Sequence, residues 1–277
     1  MGEAVTGGRS SVPRAFGCAV AGVLVLLGCT GGGAARDAGA RPAPSTSGQG
    51  SPSAAPTAPA VDLIPELDEA KQPRSAAEAR DLLSRIMIGP GTLGPEVVPG
   101  TPAESDPDRW PVLDRDCVWQ SQAPPADVLA SRTRYFQIPA RDGHRRVRIN
   151  ATVTVHHDRR ESGWETARAM EEILRCPSQR LRDGEELKNL LGASVYQGEQ
   201  MNGWTEDAFS ESGQYVSTED GGPHRYLWHQ AQFGPVTVAI TGKGAEGFTD
   251  AALNALVVQG TSQLLQNAKQ ALAKEAG

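Results

Sequence analysis

Aromatic side chains make up only 5% of this 277-residue chain. A core built mainly on rings is excluded, so each aromatic has to be placed individually. Positive charge is also short. There are 27 Lys and Arg against 33 Asp and Glu, a formal net charge of −6. No basic cluster stands out, which argues against a nucleic-acid partner and against broad contact with anionic lipid headgroups. Long apolar runs are missing too. The best, Ala15 to Leu27, is too short for a membrane span of roughly 17–25 residues. Signatures of nucleophilic or metal-dependent hydrolysis are absent: there is no Gly-x-Ser-x-Gly, no His-Glu-x-x-His and no Ser-x-x-Lys. The sequence therefore leads to the expectation of a non-enzyme with no catalytic residue, no metal and no cofactor.

What is present starts at the N-terminus. Residues 1–28 have the parts of an export signal: Arg9 and Arg14, an apolar run, and small Gly28 before Cys29. Leu26-Leu27-Gly28-Cys29 resembles a bacterial lipobox. That resemblance implies cleavage before Cys29 and diacylglycerol on its sulfur, with acyl chains such as palmitate in the cell membrane. Each buried CH₂ adds about 0.8 kcal/mol, and two chains anchor stably where one is marginal. An ordinary secretory signal with an incidental cysteine is the alternative. Residues 29–72 read as a linker, nearly all Gly, Ala, Pro, Ser and Thr from Thr30 to about Ala60, a composition expected to stay disordered. Residues 73–277 then suit one domain.

Cysteine is scarce at 4 residues. Cys18 falls in the leader and Cys29 at the anchor, which leaves Cys117 and Cys176. Exported domains most simply pair such a remainder. A metal site is the alternative, weakened because neither cysteine lies in a Cys-x-x-Cys pair.

Hydrophobic periodicity places the elements. Ser75-Ala76-Ala77-Glu78 is a capping box for a helix from about Ala76 to Met87. Gly89-Pro90-Gly91 stops it, and the Pro- and Gly-rich stretch through Pro107 reads as surface loop. Asp116-Cys117-Val118-Trp119 reads as a short strand. Tyr135 to Ile138 begins another, and the Asp142-Gly143 turn leads into the clearest strand of all. There Val147, Ile149, Ala151, Val153 and Val155 alternate with Arg148, Asn150, Thr152, Thr154 and His156, giving one dry face and one wet or partner-covered face. Ser162 to Arg175 reads as a helix with Trp164, Ala167, Met170 or Glu171, and Leu174 near helical spacing as its apolar side, stopped by Cys176-Pro177. Glu185 to Leu191 reads as a short helix or turn. Extended segments follow near Ala208–Val216, Arg225–Phe233 and Val236–Thr241, then a helix from about Thr249 to Ala273. Strand runs with helices set between them predict an α+β fold, an antiparallel β-sheet with helices packed on it.

This order of leader, lipobox, Pro/Ala/Ser linker and domain resembles the actinobacterial extracytoplasmic sensor domains known as PknH-like extracellular domains. The residues that carry the likeness are Asp116-Cys117-Val118-Trp119, the strand Val147–Val155, the helix ending at Cys176, and Val236–Ile240 running into a long Ala/Leu helix. The resemblance implies an antiparallel sheet with packed helices and a cleft for a ligand. It brings no catalytic residues, and the second disulfide frequent in that family cannot form here.

Other constellations carry little. Gly242-Lys243-Gly244-Ala245-Glu246-Gly247 matches Gly-x-Gly-x-x-Gly, but no second parallel strand can follow it, so it reads as a strand-to-helix loop. His156 and His157 point to opposite faces, as do His224 and His229, so surface or rim histidines are expected rather than metal ligands. Asp114/Asp116 and Glu219/Asp220 read as solvated acidic loops. Trp119, Tyr226 and Trp228 are the candidate ligand-binding residues, with Tyr226 and Trp228 on one strand face and Arg225 and His229 as a polar rim opposite; filling the core is their alternative role. The sequence thus points to an extracytoplasmic, membrane-anchored lipoprotein acting as a sensor or binding module for an envelope ligand or a membrane receptor. A structural spacer and an envelope hydrolase are the competing readings.

Overall fold

The computed structural model describes residues 64–193 and 204–275. The chain divides into two units, Met1–Thr57 and Ala58–Gly277, and every described residue belongs to the second. The leader, Cys29 and the linker up to residue 63 lie outside the described residues.

Among the described residues, ten strands and four α-helices follow in order: α1 (Ala76–Ile86), α2 (Pro90–Leu93), β1 (Val98–Glu104), β2 (Trp110–Leu113), β3 (Trp119–Gln122), β4 (Val128–Ile138), β5 (Val147–His156), α3 (Arg159–Arg175), β6 (Gln179–Arg182), β7 (Glu185–Ala193), β8 (Asp207–Ser217), β9 (Gly221–Phe233), β10 (Val236–Lys243) and α4 (Asp250–Leu272). Eight strands form one antiparallel sheet in the order β1-β4-β5-β10-β9-β8-β7-β6, and β2 pairs with β3 beside it. The expected α+β class holds.

The alternation in β5 decides the layering. Val147, Ile149, Ala151, Val153 and Val155 are fully buried, together with Val236, Val238 and Ile240 of β10, which lie opposite them or one strand over. Helix α1 covers this apolar face at β4 and β5, and α4 covers it at β9 and β10. Ser75 caps α1 by accepting from the Glu78 N–H, and Ala79, Leu82, Leu83 and Ile86 at i, i+3, i+4, i+7 enter the core. Residues ahead of 73 also join the fold: Leu67 bridges Ala273, and the Asp68 N–H donates to the Leu272 carbonyl at 2.9 Å.

Several expectations need correction. The stretch through Pro107 contains β1, because an edge strand tolerates Pro99 and Pro102 where a central one would not. Glu185–Leu191 lies in strand β7, entered through the Asp183-Gly184 turn with Gly184 at φ 76; a bulge at Asn189 (φ 53) hides its alternation. Cys117 sits in a turn before β3, at φ 61, and is not in a strand. Helix α3 starts earlier, capped by Asp158, and turns a different side inward. Ser162, Thr166 and Ile173 are buried, while Trp164 and Leu174 are 57% and 84% exposed.

Candidate functional site

Helix α3 packs on the sheet face opposite α1 and α4, touching β5, β7, β8, β9 and β10. That face is polar, which explains why α3 buries a polar stripe. Ser162 Oγ donates to the Gly234 carbonyl at 2.7 Å, and Gln232 Nε2 donates to Ser162 Oγ at 2.7 Å. Glu165 Oε2 accepts from Thr237 Oγ1 at 2.6 Å and lies 2.6 Å from His156 Nε2. Further along, Ile173 joins Leu187, Leu190, Phe209, Tyr215 and Tyr226 in a second apolar cluster.

Strand register builds a partly exposed stretch of this face. Tyr135 pairs with Asn150, Asn150 with Thr241, Thr241 with Trp228, and Trp228 with Glu211. Tyr135, Asn150, Thr241 and Trp228 are all half-buried, whereas Glu211 is buried. The result is a row across β4, β5, β10 and β9 with an aromatic ring at each end and an amide and a hydroxyl between them. The neighbouring row runs Thr133, Thr152, Ala239, Gln230. Thr133 and Thr152 pair their hydroxyls at 2.9 Å. Gln230 is 1% exposed, and neither its Nε2 nor its Oε1 has a hydrogen-bond partner. On α3, the buried Thr166 hydroxyl is likewise unpartnered. Such groups are rare because each costs the full desolvation of a polar atom.

Charges border the row on its other side and are spent on each other. Asp220 accepts from Arg146 and Arg148, both at 2.8 Å. Glu185 meets Lys243 at 3.5 Å and Arg182 at 2.5 Å. Burial raises the Asp220 carboxyl, but the two arginines outweigh it and hold the group below its usual range. Burial lowers Lys243, against the pull of Glu185. The reading of Glu219/Asp220 as a solvated loop is corrected accordingly: Asp220 is 6% exposed and part of this network.

The aromatic candidates separate. Tyr226 and Trp228 do share a face, yet Tyr226 is buried with its hydroxyl on Glu211. Trp228 remains half-buried, edge-on to Phe209 at 6.3 Å. Trp119 stands elsewhere, on β3, its indole N–H donating to Gln179 Oε1 at 2.8 Å. The expected rim of Arg225 and His229 does not form, since His229 is 1% exposed and burial lowers its imidazole to about 4. His156 is buried as well, contrary to the surface placement expected for the histidines. Tyr135, Asn150, Thr241 and Gln230 escaped the sequence reading; the run of hydroxyls and amides on the wet side of β5 was the available signal.

Cys117 and Cys176 form a disulfide with a Cα–Cα distance of 5.5 Å, joining the end of α3 to the turn before β3. A shallow groove beside it, lined by Val118, Gln179, Arg180 and Lys188 among others, includes no residue of the row. Gly242, Gly244 and Gly247 have packing roles: a Cβ at Gly242 would strike Val257, and Gly247 (φ +79) lies against the Gly143 carbonyl. Among the described residues, no group of three or more His, Cys, Asp or Glu could hold a metal ion. No helix among them is long and apolar enough to cross a membrane.

No family model matches the sequence, and no curated protein matches it. Among solved structures, the chain is similar to the extracellular domain of PknH from Mycobacterium tuberculosis, at 10% identity and a TM-score of 0.43, over 68% of this chain and 97% of that one. The resemblance anticipated from the sequence is thus met only as a weak structural likeness. The class defined by the molecule itself is an α+β domain whose antiparallel sheet has one apolar face under α1 and α4 and one more polar face under α3.

Proposed function

We propose that this protein is an extracytoplasmic, membrane-tethered binding module that senses or captures an envelope ligand without catalysing a reaction. The half-exposed row Tyr135–Asn150–Thr241–Trp228 carries the reading. It offers two rings and neutral hydrogen-bonding groups in one place, the composition of a recognition surface. The adjoining charges Arg146, Arg148 and Lys243 are each paired with Asp220 or Glu185 rather than left free beside the row. The disulfide suits an oxidising compartment, and the lipobox-like Cys29 supplies the tether. A spacer gains nothing from the unpartnered Gln230 amide on that face, which favours binding over a purely structural role. Native mass spectrometry of the full chain released from its own envelope tests this. A reproducible bound small molecule, lost in Trp228→Ala, is expected. A chain that carries no ligand from any envelope preparation would contradict the reading.

A further inference from the structure

We infer that the row on the polar face binds a neutral oligosaccharide; this rests on the binding-module reading above and names its ligand class. The row crosses adjacent strands β4, β5, β10 and β9. Three strand spacings place Tyr135 and Trp228 about 14 Å apart, less the effect of twist, which matches a short chain of linked sugar rings. A pyranose presents a C–H face and an equatorial belt of hydroxyls. The C–H face suits the electron-rich face of Tyr and Trp rings. The hydroxyls, each both donor and acceptor, suit Asn150 and Thr241 between the rings.

A second observation, independent of the row's shape, points to a ligand. Gln230 sits two residues along β9 from Trp228 on the same face, buried, with both amide atoms unpartnered. Thr166 adds an unpartnered hydroxyl from the helix that packs on that face. Together they lack one donor and one or more acceptors, the pairing that a sugar hydroxyl provides.

The charge balance selects against other occupants. Arg148 and Lys243, the cations nearest the row in register, are engaged by Asp220 and Glu185. An anionic ligand would have to break those pairs. An acyl chain would need a continuous apolar channel, and Thr133, Asn150, Thr152 and Thr241 interrupt it. An extended peptide gains its affinity from main-chain bonds at a sheet edge, and this surface is a face.

The test screens the full chain against an array of neutral oligosaccharides of mixed linkage, with oligogalacturonate as the anionic control, and titrates hits calorimetrically. At least one neutral oligosaccharide is expected to bind saturably. Trp228→Ala and Tyr135→Ala each weaken it tenfold or more, while Trp164→Ala, on the outer side of α3, leaves it unchanged. Should Trp228→Ala fail to fold, the half-exposed Asn150→Ala carries the same comparison. Binding insensitive to these row substitutions overturns the assignment. If no neutral sugar binds but the envelope-derived chain still holds a non-carbohydrate ligand, the sugar inference fails and the binding module stands. If neither binds, both fail.

Discussion

Glu211 shows what the polar face does to a single residue. Burial pushes its carboxyl up to about 8, aided by the charge of Glu172 across the α3 interface, and Tyr226 is its hydrogen-bond partner. The folded chain therefore holds a proton that the unfolded chain releases above a pKa near 4.5. Stability is fully present below that value and is lost as pH rises toward 8, with a slope of at most about 1.4 kcal/mol per pH unit. His229 acts in the opposite sense. Its imidazole falls to about 4 through burial, so the unfolded chain binds more protons below 6.5 and stability drops on acidification. The two slopes oppose one another in mild acid, and only that of Glu211 persists from pH 6.5 to 8. Glu211→Gln is predicted to flatten the upper part of the curve and raise stability at pH 8, measured by urea unfolding across pH. Parity alone predicted that His229 and His224 face opposite ways. Burial was not visible, because nothing local in Gly221–Phe233 says that α4 will cover one side.

At the scale of elements, two contacts hold the polar face together. Glu165 joins α3 to Thr237 and to the buried His156. Glu165→Ala strands those partners and is expected to lower stability by about 1–3 kcal/mol, read from the unfolding midpoint. The disulfide joins the other end of α3 across a sequence separation of 59 residues. Replacing both cysteines by Ser should cost about 2–4 kcal/mol, and thiol titration of the denatured, unreduced chain should find neither sulfur free. Elements with strong periodicity were legible in sequence: α1, β5, β10 and α4 appear close to their expected bounds. α3 was located but rotated. Its inward side follows Ser162, Thr166 and Ile173 because the sheet beneath is polar, and a search for apolar spacing selected Trp164 and Leu174, which face solvent. β1 and β7 were missed because prolines and a bulge erase the alternation that identifies a strand.

For the whole molecule, the row Tyr135–Asn150–Thr241–Trp228 could not be read from sequence, since it exists only through the register of strands far apart in the chain. Only half of it was in view, as the wet side of β5 and the aromatic parity of β9. The tether proposed at Cys29 has a testable consequence: Cys29→Ser should move the protein from the membrane fraction to the soluble one in cell fractionation. If the protein is a binding module, its ligand sits on the polar face. Hydroxyl-radical footprinting of the full chain, freshly extracted from the envelope and again after exhaustive dialysis, measures it directly. Tyr135 and Trp228 are expected to be protected together before dialysis and to become reactive after it, with Trp164 unchanged. Equal reactivity of Tyr135 and Trp228 in both states, or protection confined to Trp164 on α3, would contradict it.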